Sequence, residues 1–190
     1  MKVFGSTVVV VLLAAGLALL GYARWTGAIR AADDRLASGD LQAAIASYQI
    51  AEARFEALPA TKQMVPAEHA RVVANHLWAL YRLQRYDEVI DLAQKAPAES
   101  APHFWSACAL FQKATVEEKP DARLGWLSRA EEEFRKAVEA APGDWDTKYN
   151  FELTSRLSAE LRKQPNTPPK QLMMLLRPPT PGSKTPRRTG

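Results

Sequence analysis

Three histidines, one cysteine and a run of glutamates are the side chains of this 190-residue chain best equipped for chemistry. His69 and His76 stand seven residues apart, about two helical turns, so both can fall on one helix face. A zinc site needs three or four convergent ligands, and neither His103 nor Glu68 completes a recognisable set. Glu68 beside His69 also lacks the spacing of a metalloprotease helix. Cys108 stands alone, which excludes an internal disulfide and a cysteine metal cluster. There is no glycine-rich phosphate loop and no Gly-x-Ser-x-Gly elbow. Glu131, Glu132 and Glu133 adjoin the apolar Ala130 and Phe134, and read as a solvated helix face. These residues predict a protein that is not an enzyme and needs no cofactor or metal. The alternative, a membrane-attached metal carrier or enzyme, would use His69 and His76.

Other side chains suit recognition better. Asn75 offers an amide to an extended peptide backbone, and Arg71, one turn earlier, can grip a carboxylate through two bonds. Asn75 and Asn150 read equally as caps or buttresses for neighbouring helices, since most buried polar side chains serve backbone groups. Trp145, Lys148, Tyr149 and Asn150 form the most distinctive local cluster. Its aromatics either anchor a partner or seal the end of a helical stack. Trp145, Tyr149, Leu153, Leu157 and Leu161 recur every four residues, and such a stripe usually faces a core.

The elements that carry these residues are helical. Alanine, leucine, glutamate, arginine and lysine dominate the middle of the chain. Ser38-Gly39-Asp40 ends one helix, Ala28–Ala37, and caps the next. Leu41, Ala44, Ile45, Tyr48 and Phe55 then follow one helical face until Pro59. Pro66 opens a helix to about Leu83, with Val72, Val73, Leu77, Leu80 and Leu83 as its apolar positions. Asp87 to Ala96 forms its partner, with Val89, Ile90 and Ala93 inside. Pro102 opens a third pair, whose second helix buries Leu124, Leu127, Ala130, Phe134, Ala137, Val138 and Ala141. Pro142-Gly143-Asp144 breaks the chain before a last helix from Trp145. Equivalent positions recur at 45 and then 41 residues. Long loops at Pro59–Pro66 and Val116–Pro120 would account for spacings above the ~34 of a regular tetratricopeptide array.

Ahead of these helices, Val3 to Ala23 is a run of 21 uncharged residues between Lys2 and Arg24. At ~1.5 Å per residue it spans a ~30 Å hydrocarbon core, longer than the ~7–15 apolar residues of a cleaved signal. Gly21-Tyr22-Ala23 leaves a cleavage site open. Tyr22 and Trp25 suit the membrane interface. No cysteine follows the run, so it does not read as a lipoprotein leader. A short stretch before the run and a long body after it favour a bacterial inner-membrane anchor with the body in the periplasm.

Gly39 to Ile45 with Tyr48 and Ala51, Arg85 to Ile90 with Ala93 and Ala96, and Ala130-Phe134-Ala137-Pro142 resemble the second helices of tetratricopeptide repeats. The resemblance covers residues 28–162 and implies an all-α superhelical stack of about three helical pairs plus a capping helix. It implies a concave face near Arg71, Asn75, Trp78, Tyr81 and Arg82, and in the last repeat near Trp145, Tyr149 and Asn150. Arg71 and Asn75 are similar to the element by which some such domains clamp a C-terminal carboxylate. Asp146 replaces the base beside Asn150. A narrower resemblance, carried by Asp144 to Leu153 and by the anchored layout, is to MxaK-type accessory proteins encoded beside MoxR-type ATPases and von Willebrand A-type proteins. It implies a role in maturing a periplasmic methanol dehydrogenase, including calcium insertion, although no acidic calcium loop occurs in this chain.

The chain therefore divides into an anchor (1–25), a repeat body (26–163) and a tail (164–190). Residues 162–190 hold seven of the 25 bases and no acid, leaving 18 bases against 21 acids elsewhere. The basic balance thus belongs to the tail, and the body lacks the basic face of a nucleic-acid binder. Prolines make the tail a disordered segment. Inside it, Leu172, Met173, Met174, Leu175 and Leu176 form an apolar centre that suits a partner's groove, an anionic membrane surface, or this protein's own stack. The function expected is a membrane-tethered scaffold or assembly factor that docks other proteins in its groove or through its tail. A structural subunit packed against other membrane helices is a further alternative.

Overall fold

The structure is a computed structural model that describes residues 2–163. The tail 164–190 and its apolar centre, Leu172 to Leu176, lie outside the described residues. Those described are all helical, with no strand among them. The helices are α1 (Lys2–Ala37), α2 (Leu41–Ala57), α3 (Ala60–Met64), α4 (Pro66–Arg82), α5 (Tyr86–Ala93), α6 (Pro102–Val116), α7 (Pro120–Ala140) and α8 (Trp145–Lys163). They fall into two compact units, the first reaching Arg85 with 96–100 added, the second holding 86–95 and the remainder. The expected pair of α4 with α5 is thereby divided between units.

The helix boundaries follow local chemistry. Gly39 takes a left-handed conformation (φ 83°) that a side chain would strain. Its N–H bonds to Leu36 O (3.1 Å) and that of Asp40 to Arg35 O (3.0 Å), which satisfies carbonyls at the end of α1. Asp40 then accepts from Ala43 N at 3.1 Å and caps α2. The same double bond ends α4, where Gln84 N reaches Tyr81 O and Arg85 N reaches Leu80 O. There the left-handed residue is Gln84 (φ 59°), so no glycine marks the turn in the sequence. Pro66, Pro102 and Pro120 each open a helix, where a missing N–H costs nothing.

The 36-residue α1 runs without a break from the apolar segment into the first unit. Among the described residues it is the one helix long and apolar enough to cross a membrane. Val11, Leu12, Leu13, Leu17, Leu19 and Leu20 all expose most of their surface. Below Trp25 the helix becomes a packing partner. Ile29 and Ala32 join Ala44, Tyr48, Ala51, Phe55 and Val72 in the core of the first unit, closed by Trp25, Leu36 and Val65. One buried cluster of the second unit joins Ala114, Leu127, Leu157 and Leu161 from α6, α7 and α8.

Several expectations need correction. The loop placed at Pro59–Pro66 contains α3, and that at Val116–Pro120 is only the turn Glu117 to Lys119. The extra length between Val89 and Ala130 instead comes from residues 94–101, with a 3-10 turn at Ala98–Ser100, and from the turns of α7 that precede Ala130. Helix α5 ends at Ala93, short of Ala96. Leu83 caps α4 and is exposed, and Ala141 is exposed beyond the end of α7. The stripe on α8 also divides: Leu157 and Leu161 are buried, but Trp145 (78% exposed) and Tyr149 (60%) are not. A helix turns ~100° per residue, so a strict four-residue spacing drifts ~40° per step and ~160° from Trp145 to Leu161. The two ends of such a stripe cannot share one face.

Candidate functional site

In the first unit the recognition candidates on α4 converge on a carboxylate from the chain itself. Asp33 sits on α1 two turns past Thr26, whose hydroxyl bonds the carbonyl of Tyr22 within the same helix. Asp33 Oδ1 accepts from the Tyr48 hydroxyl at 2.7 Å and from Asn75 Nδ2 at 3.1 Å. Asn75 Nδ2 also lies 3.2 Å from the Tyr48 oxygen. Arg71 pairs its guanidinium with Asp33 Oδ2 and, at 2.7 Å, with Glu68. Tyr48 is fully buried, and burial together with Asp33 raises its hydroxyl well above the ordinary tyrosine range. The pairing expected to clamp a partner's carboxylate therefore holds Asp33. Asp33 carried no motif, and only the packing of α1 on α2 and α4 reveals its role.

The histidines are likewise engaged. His76 is buried, with Nδ1 2.7 Å from Glu52 Oε1. The carboxylate accepts, so Nδ1 is the donor of this bond. Nε2 of the same ring is buried without a partner. His69 packs its ring on Phe55 at 4.6 Å between centroids, and burial followed by nearby Lys62 lowers its pKa. Among the described residues no three His, Cys, Asp or Glu side chains converge as a metal site would require. Further along α4, Arg82 stacks on Trp78 at 5.2 Å, while Tyr81 is half-buried.

The second unit carries the other candidates. Asp144 caps α8, accepting from Asp146 N at 3.0 Å and the Thr147 hydroxyl at 2.5 Å. The Thr147 bond, foremost, lowers the carboxyl pKa of Asp144. This cap presents Trp145 and Tyr149 one turn apart on the exposed side of α8, with Lys148 Nζ 5.0 Å from the Trp145 ring. Asn150 is half-buried, and its carbonyl accepts from the Thr154 hydroxyl. The Glu131 to Glu133 run is not uniformly solvated. Glu131 bonds Ser155 at 2.7 Å, while Glu133 takes bonds from His103 (2.7 Å) and Lys136 (2.8 Å). Cys108 is half-buried, and burial pushes its thiol up to about 12, where it stays protonated and unreactive.

One feature had no sequence signal. The α6–α7 turn encloses an open cleft of ≈ 490 Å³ lined by Lys113, Val116, Glu117, Glu118, Lys119 and Trp126. Lys113 Nζ and Arg129 Cζ lie 4.3 and 5.1 Å from the Trp126 ring. Arg123 is buried beneath the turn and donates to Glu117 O (2.9 Å) and Glu118 O (3.1 Å). The α4 and α8 candidates belong to different units. The chain matches no family model, no curated protein and no solved structure.

Proposed function

We propose that this chain is a membrane-anchored protein-interaction scaffold whose docking residues in the folded part are Trp145 and Tyr149 on α8. The observation that carries this reading is their exposure, at 78% and 60%, on a capped helix whose opposite side is packed. Aromatic rings bury large areas at small entropic cost, which makes them effective anchors for a partner protein. Arg71 and Asn75, by contrast, are held by Asp33, which argues against the carboxylate clamp.

The finer reading is an assembly factor for a periplasmic enzyme, working with a MoxR-type ATPase and aiding calcium insertion into a methanol dehydrogenase. It rests on the resemblance of Asp144 to Leu153 to MxaK-type proteins. The hairpins α1–α2 and α6–α7 support a tetratricopeptide-like arrangement of helical pairs. A periplasmic body on an inner-membrane anchor belongs to the same proposal.

The test is affinity capture of the tagged full chain from its own membranes. Wild type and a variant lacking 165–190 are compared with Trp145→Ala/Tyr149→Ala. Recovery of one defined protein by the first two, and its loss from the double variant, is expected. Equal recovery by all three, or none by any, would overturn the assignment to α8.

A further inference from the structure

We infer that the α2–α4 connection, Leu58 to Val65, lies on the lipid surface and forms a second membrane contact beside the anchor. The inference rests on the reading of α1 as a membrane-spanning helix.

Two rungs of contacts cross α1, α2 and α4 and fix their relative levels. One joins Asp33, Tyr48 and Asn75. The other joins Trp25 to Phe55 and Phe55 to His69, each at 4.6 Å between ring centroids. The rungs are eight residues apart on α1, seven on α2 and six on α4, or ~12, ~10 and ~9 Å at 1.5 Å per residue. Helix α2 therefore runs nearly antiparallel to both α1 and α4. Extended by three more residues, ~4.5 Å, the rung reaches Tyr22 on α1, Leu58 on α2 and Pro66 on α4. Both ends of the connection carrying α3 thus lie level with Tyr22. That is where the apolar run ends, at Ala23, before Arg24.

The chemistry of the connection fits this level. Leu58 (60%) and Met64 (78%) are exposed, although Trp25 and Val65 beside them are packed. From Ala57 to Ala67 there is no acid, and the one base, Lys62, is 2.6 Å from Glu56. A connection that exposes Leu58 and Met64 and pairs its one charge suits the headgroup boundary, where apolar groups sit ~5–10 Å deep. Tyr22, half exposed at the same level, is the residue type that favours this zone. The anchor supplies the occupant as well, because it holds a bilayer against this end of the unit at high effective concentration.

The test uses the full chain in nanodiscs of phosphatidylcholine and phosphatidylglycerol. Single cysteines in a Cys108→Ala background, at Leu17→Cys, Leu58→Cys, Met64→Cys and Ser38→Cys, carry an environment-sensitive fluorophore. Lipids with a quencher near the top of the acyl chain are then added. Ser38 is 13 residues from Trp25 along α1, ~20 Å above the interface, and serves as the lipid-free reference. Quenching at Leu58 and Met64 at least about twice that at Ser38 is expected, within the depth of an interfacial helix. Quenching at Leu17 alone would overturn the second contact, leave the anchor standing, and assign Leu58 and Met64 to a protein partner or another copy. No quenching at Leu17 would remove the anchor and this inference together.

Discussion

The hydroxyl of Tyr48, fully buried on α2, donates to Asp33 Oδ1 on α1 across 2.7 Å. Asp33 also takes Asn75 and Arg71 from α4, so one half-buried carboxylate ties three helices together. Asp33→Ala leaves the Tyr48 hydroxyl without that acceptor, and should destabilise the first unit by about 2–3 kcal/mol. Tyr48→Phe removes donor and need together and should cost about 1 kcal/mol. Arg71→Ala should cost less than about 1 kcal/mol, since its 43% exposed side chain already meets water. Thermal melts of the full chain in micelles check the order. Equal losses for Asp33→Ala and Arg71→Ala would refute it.

The division of α8 predicts opposite outcomes on one helix. Trp145→Ala and Tyr149→Ala should each change stability by less than about 0.5 kcal/mol, because both rings face solvent. Leu157→Ala, 2% exposed, should cost about 2–5 kcal/mol through lost burial and a cavity. Denaturant titration distinguishes this from a uniformly buried stripe, for which all three would be costly.

Glu133 makes stability depend on acid pH. Burial alone would raise its pKa, but hydrogen bonds from Lys136 and His103 outweigh it and leave the carboxyl lowered. The unfolded chain then binds the proton more readily, so stability rises with pH across this titration. The contribution is whole above the ordinary glutamate value of about 4.3 and is lost as pH falls through the lower folded value. Glu133→Gln should therefore destabilise at pH 7, with the gap from wild type closing in stronger acid. A gap constant from pH 7 down to 3 would exclude this role.

Arg123 serves two carbonyls of the α6–α7 turn from a buried position. Arg123→Met should cost about 1–3 kcal/mol by leaving those acceptors unpaired. Arg123→Lys should not restore the loss, since an ammonium lacks the planar fork that reaches both. Melting temperature and the fluorescence of Trp126, which lines the same cleft, report the change.

The chain end of α4 offers a stabilising change. Gln84 occupies a left-handed conformation that costs a side chain about 1–2 kcal/mol. Gln84→Gly should recover up to about 1 kcal/mol of it, the remainder lost to the greater freedom of glycine when unfolded. Gly39→Ala at the equivalent turn should lose about as much, and chemical denaturation of both variants measures the symmetry.

The helices and most of their ends follow from short stretches of residues. Gly39-Asp40, Pro66, Pro102, Pro120 and Asp144 act on backbone groups within a few residues, so their effect is visible in a short window. The apolar length of α1 was likewise legible, because crossing a bilayer is a matter of residue count. How the side chains are used depends on packing between segments far apart in the chain. Arg71 and Asn75 looked free for a partner's carboxylate until packing brought Asp33, 38 and 42 residues away, against them. Glu133 looked solvated until His103, 30 residues away, met it. Each of these is a contact between distant segments. Local spacing fixes which face of a helix a residue occupies, while the neighbour that meets that face is chosen by the fold.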